Sequence, residues 1–134
     1  MWAVTTSPSA PGSLRPGLQA TVQHLVAESD TAVALGSGDV PVLATPRLLA
    51  LAEAATMAAL AGNLHPGTTS VGTRVELEHL RPTPVGGSLT VTADLVHVDG
   101  RVVRFDVTAY DAGGALVGQV EITRVLVERD RFLH

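Results

Sequence analysis

The 134-residue chain contains no cysteine, which removes disulfide frameworks, thiolate metal sites and cysteine nucleophiles together and is compatible with the cytosol. Aromatic residues are scarce, with one Trp, one Tyr and two Phe, and in the N-terminal stretch Trp2 alone could dock. Charged residues make up 16% of the chain and the net charge is −4. With no basic patch, nucleic acid is not expected as a partner. No apolar run approaches the roughly 20 residues of a membrane span, so no membrane partner is expected. No basic segment leads into an apolar run at the N-terminus, so no signal peptide is expected and the cytoplasm is the default compartment. None of the five histidines stands in a His-x-x-x-His spacing with a carboxylate, so neither a metal nor another cofactor is expected. Repeats and internal linkers are missing as well, which leaves a single core-forming unit.

What is present centres on residues 45–61, a segment apolar on nearly every side that carries one carboxylate, Glu53, near its middle. Thr45 followed by Pro46 reads as an N-cap and first helical position, and Gly62 falls where a left-handed residue closes a helix. A helix apolar all round is enclosed, so Glu53 is expected to be enclosed too. An ionised carboxylate in that setting is costly unless it is paired or hydrogen-bonded.

Around this helix the chain divides at about Gly17. Residues 1–17, rich in Ser, Pro, Gly and Thr, read as a flexible N-terminal arm, and residues 18–134 as the folded domain. Residues 18–28 alternate and predict a strand with His24 on its solvated parity. The segment 29–44, with Gly36-Ser37-Gly38-Asp39 and Pro41, cannot be regular throughout and suits a lid ahead of the helix. His65 falls in the connecting loop after the helix and is expected to be exposed.

Four strands follow. In Val71–Leu80 the parity Val71, Thr73, Val75, Leu77, His79 faces the core, and Gly72, Arg74, Glu76, Glu78, Leu80 face water. Leu89, Val91, Ala93 and Leu95 share a face, Asp99-Gly100 supplies a hairpin turn, and Val103, Phe105, Val107 and Ala109 continue the core. The last strand, Ala115–Val127, has Leu116, Val120, Ile122 and Leu126 inward with Arg124 among them, read as an arginine laying its stem along a sheet edge. One strand, one long helix and four antiparallel strands joined by short turns predict an α+β fold in which the sheet wraps a central helix.

Pattern alone thus places two ionisable groups, Glu53 and His79, on facing surfaces, as candidate partners. A structural ion pair and a functional site are both open at this point. Thr45 adds a hydroxyl at a helix N-terminus, where free amides suit an oxyanion or a thioester carbonyl.

The run Ala44-Thr45, then Glu53, then Ser70-Val71-Gly72-Thr73 leading to His79-Leu80-Arg81-Pro82-Thr83-Pro84-Val85-Gly86, with Val98-Asp99-Gly100-Arg101 and Val117-Gly118 later, resembles hot-dog-fold acyl-CoA thioesterases of the fluoroacetyl-CoA thioesterase-like group. The resemblance spans about residues 15–130. It implies an acyl-CoA substrate, hydrolysis of its thioester, catalytic residues Thr45, Glu53 and His79, and Gly72 as the glycine that lets the thioester approach the backbone. His79 would move protons, Glu53 would orient it or activate water, and Thr45 would attack or position the carbonyl. The fluoroacetate-specific member of that group has aromatic residues before its threonine. Val33–Ala44 has none, which points to another small or medium acyl group. Thr45 and Glu53 lie about 12 Å apart along the helix axis, so a site shared between two subunits of a homodimer is expected, with a tetramer as the further option. Two other readings stand beside this one. A hot-dog hydratase would be expected to carry an Asp-x-x-x-x-His signature, which is absent, and a non-catalytic module would bind acyl-CoA or another small apolar ligand without turnover.

Overall fold

In a computed structural model that describes residues 5–6 and 14–133, the helix is α2, Thr45–Leu60, and a curved antiparallel sheet packs around it. The strands are β1 (Thr5–Thr6), β2 (Gln19–Leu25), β3 (Thr68–His79), β4 (Ser88–Asp99), β5 (Val102–Asp111) and β6 (Leu116–Glu128). A 3-10 turn at Glu28–Asp30 and the short helix α1 (Ala32–Leu35) precede α2, and α3 (Arg129–Leu133) ends the chain. The sheet order is β1-β2-β4-β5-β6-β3. This is the hot-dog architecture, α+β, with helix and sheet as expected.

The connectivity differs from a meander of short turns. β3 pairs with β6, not with β4, so the segment between His79 and Ser88 crosses to another part of the sheet. That crossing leaves β3 as an edge strand with its outer backbone groups free. At the other end, β1 pairs with Thr21 and Ala20 of β2. Leu14 packs on the core, and the Gly17 amide donates to the Leu95 carbonyl at 2.8 Å. Trp2 lies outside the described residues.

The core forms where α2 meets the concave face of the sheet. Leu48, Leu51, Ala52, Ala55, Ala59 and Leu60 pack on Val22, Leu89, Val91, Leu95, Phe105 and Ile122, all buried. Each fully buried aliphatic side chain contributes about 1.5–3 kcal/mol of transfer free energy, which adds to the high helix propensity of this Ala- and Leu-rich segment. The alanines of α2 bring the helix close to the sheet. At Gly118 there is no room for even a methyl group, since a Cβ there would sit 2.8 Å from Leu48 Cδ2.

Two expectations are corrected by this packing. The helix is not enclosed all round: Thr45, Pro46, Ala50 and Met57 form an exposed stripe, with Glu53 and Ala54 half-buried between them. The inward parity of β3 also changes part-way. A bulge between Gly72 and Arg74 shifts the register against β6, and an extra residue in one strand reverses which side chains face the core. Before the bulge Ser70 and Gly72 face the helix, while Val71 does not. After it, Leu77 packs on the core and His79 reaches the start of the helix, as predicted, whereas Val75, expected on the same inward face, is 40% exposed.

Candidate active site

Thr45 begins α2 in a way the sequence pattern did not indicate. Ala44, not Thr45, is the N-cap, with no side-chain capping bond, and Thr45 is the first helical residue. Its hydroxyl is therefore not spent on the helix backbone. Oγ1 lies 2.8 Å from Nδ1 of His79, the last residue of β3. When Nε2 carries the imidazole proton, the Thr45 hydroxyl donates to Nδ1, the arrangement in which His79 can accept that proton fully.

Nε2 of His79 is buried and has no hydrogen-bond partner among the described residues. Burial lowers the imidazole pKa below the usual histidine value, and the Arg81 backbone opposes this only in part. His79 is accordingly neutral at physiological pH, the state a general base requires. A cavity of about 320 Å³ adjoins the pair, lined by Thr45, His79, Ala32, Val40, Leu43 and Leu80 among others. The segment expected to serve as a lid supplies most of this wall. It is an ordered loop held to its neighbours: Ala32 donates to Val42 and Leu43 donates to Thr83, each at 2.8 Å.

Glu53 is elsewhere. Its Oε2 accepts from Nη1 of Arg124 at 3.0 Å, and Arg124 also donates from Nε to Ser70 Oγ at 2.8 Å and from Nη2 to the Ser70 carbonyl at 3.1 Å. The anticipated Glu53–His79 pairing does not occur within one chain. Gly72 sits against Glu53 while His79 lies seven residues farther along β3, roughly 23 Å at the usual strand rise. Arg124 is not laid along a sheet edge but is 5% exposed, directly across the ladder from Gly72.

Gly72 has a steric reason to be glycine. A Cβ there would lie 2.7 Å from Glu53 Oε2 and 3.5 Å from Arg124 Nη1, so any side chain would displace the carboxylate. The β3 bulge turns this position inward.

His24, expected to be solvated, instead bonds through Nε2 to Asp30 Oδ2 at 2.8 Å. Asp30 and Arg124 were both missed as candidates. Arg124 carried a usable signal, an arginine on the inward parity of a core strand. Asp30, in an irregular loop, carried none. Among the described residues no group of three His, Asp or Glu side chains is placed to hold a metal ion, and no helix is long and apolar enough to cross a membrane.

The fold that carries this site has counterparts in known proteins. The family described as fluoroacetyl-CoA-specific thioesterase matches residues 26–130. The chain belongs to that family. The fluoroacetyl-CoA thioesterase of Streptantibioticus cattleyicolor is 35% identical over 112 residues, covering 84% of this chain and 77% of its own. The structure of the fluoroacetyl-CoA thioesterase FlK superposes with a TM-score of 0.84 at 30% identity, covering 90% of this chain and 93% of that one. A mutant of the same enzyme has been solved in complex with fluoroacetate and CoA. A Thermus thermophilus thioesterase superfamily member gives a TM-score of 0.84 at 25% identity, over 90% of this chain and 89% of its own. Fluoroacetyl-CoA thioesterase family membership thus agrees with the fold and makes this chain an acyl-CoA thioesterase.

Proposed function

We propose that the chain hydrolyses the thioester of a small or medium acyl-CoA to the free acid and CoA, with Thr45, His79 and Glu53 as catalytic residues and Gly72 beside the thioester. The observation that carries this reading is the 2.8 Å bond between Thr45 Oγ1 and His79 Nδ1 at the wall of a largely aliphatic cavity. An oxygen nucleophile, the Thr45 hydroxyl or a water in its place, gives its proton to His79 and attacks the thioester carbonyl. The C–S bond then breaks, and His79 returns the proton to the departing CoA sulfur. Where Thr45 is the nucleophile, a water deprotonated by His79 next attacks the acyl-threonine ester, its C–O bond breaks, and the proton returns to Thr45 Oγ1 as the acid leaves. The partial positive charge at the start of α2 suits the developing oxyanion. The wall contributed by residues 32–43 contains no aromatic side chain, which favours an aliphatic acyl group over fluoroacetyl.

Glu53 enters through a second copy of the chain. β3 is an edge strand whose Val75 is 40% exposed, and the exposed stripe of α2 flanks Glu53. An antiparallel β3–β3 pairing with its two-fold near Val75 and Glu76 would bring Gly72 and Glu53 of the partner opposite His79, and would cover both surfaces. The proposed compartment is the cytoplasm.

The test is CoA release from a panel of acyl-CoAs, followed with a thiol reagent. Glu53→Gln and His79→Ala homodimers are each expected to be inactive. Mixing them by unfolding and refolding should restore about a quarter of wild-type activity, because half the dimers are hybrids with one intact site. A monomer with full activity would refute the shared site, and acyl-CoA binding without CoA release at every chain length would refute the enzyme.

A further inference from the structure

Asp30 is the one buried carboxylate among the described residues, at 3% exposure, and the chemistry above does not use it. Its bonds converge on Thr45 from both sides. The Asp30 carbonyl accepts from the Ala44 amide at 2.9 Å, and Oδ1 accepts from Arg47 Nε at 2.7 Å. Thr45 lies between those two donors in the chain. The other carboxylate oxygen, Oδ2, accepts from the Ala27 amide at 2.8 Å and bonds His24 Nε2 at 2.8 Å. A carboxylate this enclosed costs free energy unless its lone pairs are satisfied, and here both oxygens are.

The start of α2 explains why such a clamp is needed. The N-cap is an alanine with no side-chain bond, and the first turn has no acidic residue, so within the helix only Pro46 and the Leu48–Ala44 backbone bond steady its first turn. Arg47 places a cation near the positive end of the helix dipole, where a cation is unfavourable by itself, and its contact with Asp30 offsets that. Thr31 bridges to Leu43 and Val42 bridges to Pro84. The strip holding Thr45 is therefore tied to the segment that leaves His79.

We propose that Asp30 is a positioning residue for the reaction: through Ala44 and Arg47 it fixes the first turn of α2 so that Thr45 Oγ1 meets His79 Nδ1. The inference rests on the role given above to Thr45 and His79. Asp30 touches neither the substrate nor the reacting atoms, so its loss affects the alignment of the pair more than the binding of acyl-CoA.

The test uses full-length Arg47→Gln and Asp30→Asn, each alone and combined with Thr45→Ala, with kcat and KM from CoA release and folding checked by thermal melting. Arg47 is partly exposed, its side chain at 39%, so Arg47→Gln should fold even if the substitution at buried Asp30 does not. Misalignment of this kind costs about ten- to a hundred-fold. That loss is expected in kcat, with KM changed by less than about two-fold, and Arg47→Lys should recover part of it. In the Thr45→Ala background the same substitutions should add almost nothing, a non-additivity that a merely structural role would not produce. Equal multiplicative losses in both backgrounds, or an unchanged kcat in Arg47→Gln, would overturn the inference. If Thr45→Ala alone kept full kcat, the assignment of Thr45 would fail first, and the inference with it.

Discussion

The two polar regions along α2 are built to opposite rules. Around Arg124 three of the five guanidinium N–H groups are used, one to Glu53 and two to Ser70, and a methyl group at the adjoining Gly72 would collide with the Glu53 carboxylate. Around Thr45 and His79 capacity is left over, with one bond between them, a buried imidazole nitrogen without a partner among the described residues and a cavity alongside. A network of several bonds holds its members still, whereas a reacting site needs donors and acceptors that the protein has not already consumed. Glu53 belongs to both regions, since its side chain is 38% exposed while Arg124 beneath it is at 7%. The guanidinium anchors one carboxylate oxygen, and the carboxylate faces the surface where a second subunit would dock.

This contrast can be broken most sharply at His79. His79→Ala is expected to lower kcat by about a hundred- to ten-thousand-fold, the usual worth of a positioned general base, while the melting temperature barely moves, because the side chain is half-buried and makes one bond. Gly72→Ala should act through the other region. A methyl group 2.7 Å from Glu53 Oε2 must push the carboxylate off Arg124. The carboxylate is the free end of a half-exposed side chain and can swing aside, so activity should fall while the melting temperature drops only slightly. An active, fully stable Gly72→Ala enzyme would show that the Glu53–Arg124 contact is incidental. Arg124→Met follows. It removes a buried cation and leaves Ser70 with lost partners, a cost of about 1–3 kcal/mol. Half-exposed Glu53 can rehydrate, so the loss should fall at the low end. Denaturant unfolding of the three variants side by side would order them.

How far the sequence displayed this contrast depends on which interactions are local. The apolar run of α2, the alternation in β4 and β5 and the turn at Asp99-Gly100 are set by neighbours in sequence, and the fold followed from them. The facing of His79 was readable because it lies beyond the bulge, where strict alternation back from the core strand holds. The facing of Gly72 was not read from the alternation, since a single extra residue in β3 inverts parity; the isolated glycine at position 72 was the one local hint of a bulge. Likewise, the assignment of Thr45 as a cap relied on the preference of threonine before proline. Its hydroxyl went instead to a histidine 34 residues away, a tertiary contact that no local rule contains. The Glu53–Arg124 pair spans 71 residues and joins a helix to a strand, so only the sheet order could disclose it.

The finest comparison is in the response to acid. Burial lowers the His79 pKa beneath the unfolded-state value of about 6.5. Between that value and the folded pKa the unfolded chain binds the proton more readily, so this contribution to stability is complete above about pH 6.5 and is lost as pH falls through the window. In the proposed dimer the partner's Glu53 carboxylate would oppose this effect of burial by favouring the imidazolium, so a His79 titration that moves down in pH in Glu53→Gln would report that pairing. His79→Gln should remove the His79 part of the slope of unfolding free energy against pH while leaving the acid loss due to Asp30. For Asp30, burial favours the neutral acid, but the bonds from Ala27, His24 and Arg47 outweigh it and hold the carboxyl below its usual value. Its stabilising share is present above about pH 4 and disappears only as pH falls through that lower folded value. Titrating unfolding free energy in wild type, His79→Gln and Asp30→Asn should therefore resolve two separate acid steps, the upper belonging to the reacting end of α2 and the lower to the clamp that aims it. A single merged step unaffected by His79→Gln would mean that the imidazole is not held in its neutral form by the fold.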